Sequence, residues 1–126
     1  MKAFFRSVVA AGALLALASP SLAADPSHGQ EVFRTQCGVC HKAGADDGDG
    51  GQGPSLKGVI GRKMGGDPDF AYTQAIQDAK GPAWTEVSLA AFLADPQKAV
   101  PGTAMPIKVG SETDRADLAA YLATVK

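Results

Sequence analysis

Cys37-Gly38-Val39-Cys40-His41 holds both cysteines of the chain and one of its two histidines. No other feature constrains the fold as strongly. Two thiols separated by two residues and followed at once by an imidazole spell the attachment site of a c-type haem. Both thiols can add to vinyl groups on one edge of a porphyrin, and the next side chain then lies under the iron as proximal ligand. A chain carrying this motif is expected to fold around a covalently bound haem, with Cys37, Cys40 and His41 as its first contacts.

Two rival chemistries use the same residue types. A structural zinc site needs four Cys or His ligands. Here the fourth candidate would be His28, nine residues before Cys37, which fits no zinc finger or ribbon spacing and reads by default as a surface residue. An exported dithiol of the thioredoxin kind calls for a strand running into the motif. No strand pattern precedes Cys37, so haem is the favoured reading.

The N-terminus points to export. Lys2 and Arg6 are followed by the apolar run Val8–Ala18 and then by Ser19-Pro20-Ser21-Leu22-Ala23-Ala24. This is the layout of a secretory signal peptide cleaved after Ala23 or Ala24. The run of 11 residues is short against the roughly 20 that a spanning helix needs. We therefore divide the chain into a leader, residues 1–23, and one domain, residues 24–126. The leader style suggests a bacterial periplasm. Removing its two cations takes the formal charge from −1 to −3. Such a domain has no basic surplus for nucleic acid or for an anionic membrane face.

Helical patterns dominate the remainder. Asp25–Gln36 reads as a helix leading into the motif, with Val32 and Phe33 on one side. Gly44–Gly53 is rich in Gly and Asp and reads as a loop. A short helix is expected over Thr73–Ala79. Thr85 is placed to cap a helix reaching Ala94, and Pro96 is expected to stop it. Ser111 caps the last helix, with Asp114 three residues on and Leu118, Tyr121, Leu122 and Val125 at helical steps. The expected fold is all-α, three to five helices wrapped around one haem. Only six aromatic residues follow the leader, so the haem itself would supply much of the core.

The second ligand candidate is Met105, in Pro101-Gly102-Thr103-Ala104-Met105-Pro106. A thioether suits haem iron, and a loop bounded by prolines is ordered before the ligand binds. The bland reading is a methionine filling a core gap; the haem motif 64 residues upstream favours ligation. Met64, in Arg62-Lys63-Met64-Gly65-Gly66, reads instead as an exposed loop residue.

Taken in order, Cys37–His41, Gly53-Pro54-Ser55-Leu56-Lys57-Gly58-Val59-Ile60-Gly61-Arg62, Tyr72-Thr73, Trp84 and Pro101–Met105 resemble the signatures of class I c-type cytochromes. More narrowly they resemble the cytochrome c2, c-550 and mitochondrial-type carriers. The resemblance spans Gly29 to Tyr121. It implies that the first and last helices cross, with Gly29 and Phe33 against Leu118 and Tyr121. It implies that the Pro54 carbonyl accepts a hydrogen bond from the His41 ring N–H, and that Arg62, Tyr72 and Trp84 surround one haem propionate. Thr103 would serve the other propionate or its neighbours, and His41 and Met105 would be the axial iron ligands. Trp84 and Tyr72 also admit a plain core role, and Arg62 a plain surface one.

The chain departs from that pattern in informative places. Phe92 stands where mitochondrial-type carriers place a tyrosine near the methionine. Gln36, Gln97 and Ala104 replace docking lysines, and Asp46, Asp47 and Asp49 add an acidic loop. Lys42, Lys57, Lys63 and Lys98 are expected near the haem mouth. With both axial positions filled by protein, the resemblance implies a soluble periplasmic electron carrier, not an enzyme. It would be a monomer, with redox proteins as partners and weak electrostatic steering. The alternatives are a haem subunit of a periplasmic dehydrogenase and a haem-based ligand sensor. The sensor type usually carries its CxxCH near the C-terminus, away from position 37.

Overall fold

The first helix begins where Asp25 caps it, accepting from the backbone N–H groups of Ser27 (2.9 Å) and His28 (3.3 Å). In the computed structural model, which describes residues 22–44, 47–79 and 81–126, this α1 runs Pro26–Val32. All but the last two positions of the leader lie outside the described residues. Beyond α1 the chain widens into one π-helical turn, Phe33–Cys37, in place of the plain helix expected to Gln36. Thr35 accompanies the change. Its hydroxyl donates to the carbonyls of Glu31 (3.0 Å) and Val32 (3.2 Å), acceptors that an α-helix offers to backbone N–H groups.

Four further helices follow: α2 Gln74–Asp78, α3 Glu86–Ala94, α4 Pro96–Ala99 and α5 Glu112–Thr124. Their starts follow local chemistry. Thr73, Thr85 and Ser111 each accept from a backbone N–H three residues on, and Ser88 returns the bond to Thr85. Pro96 does end α3, but it also opens α4. Asp95 accepts from Lys98 N at 3.2 Å, and the missing N–H of Pro96 costs nothing at a first helical position. Among the described residues no strand forms; a single antiparallel bridge joins Lys63 to Ala83. The architecture is the expected all-α one.

α1 crosses α5 at a contact that only glycine permits. A Cβ on Gly29 would fall 1.9 Å from the Asp117 carbonyl oxygen and 2.9 Å from Leu118 N. Beside that contact Phe33 and Tyr121 pack with ring centroids 5.9 Å apart. Val32, Phe33, Leu89, Leu93, Leu118 and Leu122 are buried, which brings α1, α3 and α5 together in one core. Burying such side chains stabilises the fold by about 1.5–3 kcal/mol each.

Two buried carboxylates tie the crossing. Asp117 accepts from Asp25 N and from the His28 ring, each at 2.7 Å. Asp47 accepts from Gln30 (2.8 Å), from Arg34 (2.9 Å) and from the Tyr121 hydroxyl. This corrects the expectation of an acidic surface loop at 46–49. Asp47 is only 5% exposed, because donors from α1, the π-helical turn and α5 converge on it. Of its neighbours, Asp49 is exposed and Asp46 lies outside the described residues.

His28 is therefore more than a surface residue, though its ring stays half exposed. The hydrogen bond to Asp117 raises its pKa above the ordinary 6.5, against a smaller opposing effect of burial. A raised histidine pKa gives stability that is complete below pH 6.5 and lost as pH rises through the raised value. Asp117 is held below the ordinary 3.8 by the Asp25 N–H first and by His28 second. Its contribution is present above pH 3.8 and lost as pH falls through the lowered value. His28→Ala is thus expected to lower the melting temperature more at pH 5 than at pH 9. Equal losses at both pH values would remove the charged His28–Asp117 contact from the account.

Candidate functional site: a haem cavity

The π-helical turn delivers the motif into a cavity. Gly38 N bonds to Phe33 O (2.8 Å), and the N–H groups of Cys40 and His41 both bond to Cys37 O at 3.0 Å. Cys37 is buried and Cys40 half-buried, and both thiols are free. Burial, with a smaller effect of Cys40, pushes the Cys37 thiol up to about 11. A raised value disfavours the reactive thiolate at Cys37.

His41 is fixed from behind. Its Nδ1–H donates to the Pro54 carbonyl at 2.7 Å, which leaves the Nε2 lone pair for a metal. Burial lowers its pKa below 6.5 and outweighs the Pro54 bond, which favours the neutral form that a ligand needs. Gly53 makes room for it: a Cβ there would sit 2.3–2.8 Å from three ring atoms. Gly53→Ala should therefore drive the ring off Pro54 and weaken iron ligation on the order of 10–100-fold, the usual cost of losing such a partner. The fraction of low-spin haem in the purified protein measures this. A parent-like spectrum would mean that the 52–54 loop yields instead.

A cavity of about 340 Å³ lies over these groups. Cys37, Cys40, His41, Pro54, Arg62, Tyr72, Trp84, Thr103 and Met105 all line it. The structure thus brings all nine of the expected site residues to one place. Its walls are otherwise mostly apolar, with Leu56, Val59, Leu89, Leu93 and Leu122 among them. Phe92 also lines it and meets Trp84 edge-on, centroids 5.3 Å apart. Phe92 brings no hydroxyl to the cavity.

Polar side chains also line the cavity. Arg62 lines the cavity while two of its nitrogens donate to Ser55 O (2.6 Å) and Lys57 O (3.3 Å). The Tyr72 oxygen accepts from Asp67 N (3.0 Å), which leaves its own proton to donate. Gly61 N to Trp84 O (2.8 Å) and Trp84 N to Arg62 O (2.9 Å) hold Trp84 to the 61–63 loop. A cation, a phenol and an indole N–H set on an apolar cavity suit the carboxylates of a haem.

Some expectations are revised. Met64 is not an exposed loop residue: it is half-buried and lines the cavity, because the Lys63–Ala83 bridge folds its loop inward. Of Lys42, Lys57, Lys63 and Lys98, only Lys63 is among the lining residues. Lys57 borders a second, polar hollow beside Asp47 and Tyr121. The residue pattern assigns no site role to Gly53 or Gln97. A glycine before proline signals a turn, while nothing local marks Gln97.

Two thiols, an imidazole held by Pro54 with a free Nε2, a thioether and a mostly apolar cavity with polar donors on its lining form a donor set that fits haem c. The class defined by this fold and site is that of the class I c-type cytochromes. The family model described as Cytochrome c matches residues 26–126. The chain is 40% identical over 125 residues to a cytochrome c2 of Rhodomicrobium vannielii, covering 98% of this chain and 97% of that one. It is 44% identical over 102 residues to a cytochrome c of Tetrahymena pyriformis, covering 80% and 89%. The solved structure of cytochrome cH from Methylobacterium extorquens superposes with a TM-score of 0.70 at 35% identity, covering 79% of this chain and 98% of that one. This chain belongs to the cytochrome c family, whose members carry electrons on a covalently attached haem c.

Proposed function

We propose that the chain is a periplasmic one-electron carrier in which His41 and Met105 are the two axial ligands of the haem iron. The observation that carries this reading is the shared cavity. Met105 lines it together with both thiols and with an imidazole already oriented by Pro54. Bound haem would supply an iron that gains and loses one electron. The protein's own part is to keep the coordination the same in both states. Pro54 holds the His41 ring, and the Leu and Phe lining excludes water, which raises the effect of each nearby dipole.

Export is part of the proposal. The leader pattern of residues 1–23 supports it, and the match to the R. vannielii cytochrome c2 runs through nearly the whole chain. Among the described residues no helix is long and apolar enough to cross a membrane.

The redox partner is proposed to be another protein, docking with little steering. Gln36, Gln52, Ala104, Pro106 and Ile107 line the cavity without charge. Transfer rates should then fall less than about threefold as the Debye length shrinks from about 30 Å to about 8 Å. A steep fall with added salt would contradict this.

Visible spectra of the purified protein, oxidised and reduced, test the main proposal. The expected result is a low-spin spectrum with the weak red thioether-to-iron band, unmoved when carbon monoxide meets the reduced form. A high-spin spectrum or ready carbon monoxide uptake would take Met105 off the iron.

A further inference from the structure

The loop that presents Met105 is braced from outside by one side chain. Gln97, the second residue of α4, turns its amide onto the loop. Its Nε2 donates to the Thr103 carbonyl at 2.6 Å and to the Met105 carbonyl at 3.1 Å. An amide nitrogen has two hydrogens, and both are committed to carbonyls flanking Ala104.

The brace has a firm base. Pro96 is buried at the start of α4, and Asp95 caps the helix through Lys98 N. The other Asp95 oxygen meets Lys108 Nζ at 2.9 Å. The first turn of α4 with its cap therefore grips the chain at Thr103 and Met105 through Gln97, and at Lys108 through Asp95. The gripped segment has no regular secondary structure. Residues 103–110 form no helix, and Gly102 precedes them at φ +92°, a conformation that makes a ready hinge. Inside the loop, Met105 N reaches the Thr103 hydroxyl only at 3.4 Å.

We propose that Gln97 is a positioning residue for Met105. By fixing the two carbonyls around Ala104 it keeps the thioether aimed into the cavity, and it resists displacement of that ligand by an outside base. This rests on the reading of Met105 as an axial ligand, and the test separates the two.

The test uses the holoprotein, with imidazole as the competing base. Gln97→Glu keeps the length of the side chain and removes both donors; Gln97→Ala removes them without adding charge. Each net hydrogen bond is a severalfold effect. Both variants should therefore bind imidazole about tenfold more tightly in the oxidised form, with a weaker red thioether band at equal haem content. His28→Ala loosens the α1–α5 contact without touching the loop, and should leave imidazole affinity as in the parent. Parent-like affinity and band in both Gln97 variants would overturn the inference while leaving Met105 on the iron. An equal gain in His28→Ala would also overturn it, since general loosening would then suffice. A parent protein without the thioether band would overturn the axial reading and this inference with it.

Discussion

Met105→Ala should open the iron to carbon monoxide in the reduced protein and lower the reduction potential, while the haem stays covalently attached. The thioether is the only part of that side chain able to ligate, and an alanine side chain offers no donor. Methionine opposite histidine holds haem potentials high, and axial ligation as a whole spans about 0.8 V. A fall on the order of 100 mV or more is therefore expected. Attachment should survive, because Cys37 and Cys40 sit in the turn that follows α1, stabilised by bonds to Phe33 and Cys37 carbonyls that do not involve residue 105. Potentiometry and carbon monoxide titration decide it. An unchanged potential with no carbon monoxide uptake would remove Met105 from the metal.

Gly29→Ala should destabilise the fold strongly, because the added methyl group meets backbone rather than side chain. The new Cβ would be placed 1.9 Å from the Asp117 carbonyl oxygen and 2.4 Å from its carbon, both backbone atoms of α5. A clash with a flexible side chain can be relieved by a rotamer change, whereas here two helices must move apart. That movement would strain the Asp25 and His28 bonds to Asp117 and the Phe33–Tyr121 packing together. A cost of about 3 kcal/mol or more is expected, at the upper end for overpacking. For a domain of about 100 residues this lowers the melting temperature by about 12–24 °C. Thermal melts of the holoprotein measure it, and a loss below a few degrees would mean that the crossing is looser than its geometry.

Short-range features are legible in the residue pattern. Thr85 and Ser111 mark their helices because a cap is settled between residues three apart, and the observed helices start at Glu86 and Glu112 accordingly. Pro96 signals the stop of α3 in the same local way. Its second role is not legible, since Asp95 ending one helix and capping the next depends on a backbone turn that the residue pattern does not specify. The Gly29 crossing follows from the family resemblance, while its physical basis, the absent Cβ, is visible only against Asp117.

Polar residues are the least legible. Asp47 reads as surface charge among glycines and aspartates, yet Gln30, Arg34 and Tyr121 converge on it from α1, the π-helical turn and α5. The apolar Met64 misleads in the same way, reading as exposed while it lines the cavity. Gln97 reads as a missing lysine and holds two carbonyls of the methionine loop.

The sequence by itself determined the haem motif, the methionine loop and the helices with their caps, because each is encoded in a few neighbouring residues. The tertiary structure alone decided which carboxylates are buried, which glycines are spacers and which amide braces the ligand loop. The reason is physical: a polar side chain's role is set by the donors and acceptors around it, and these come from chain segments distant in sequence.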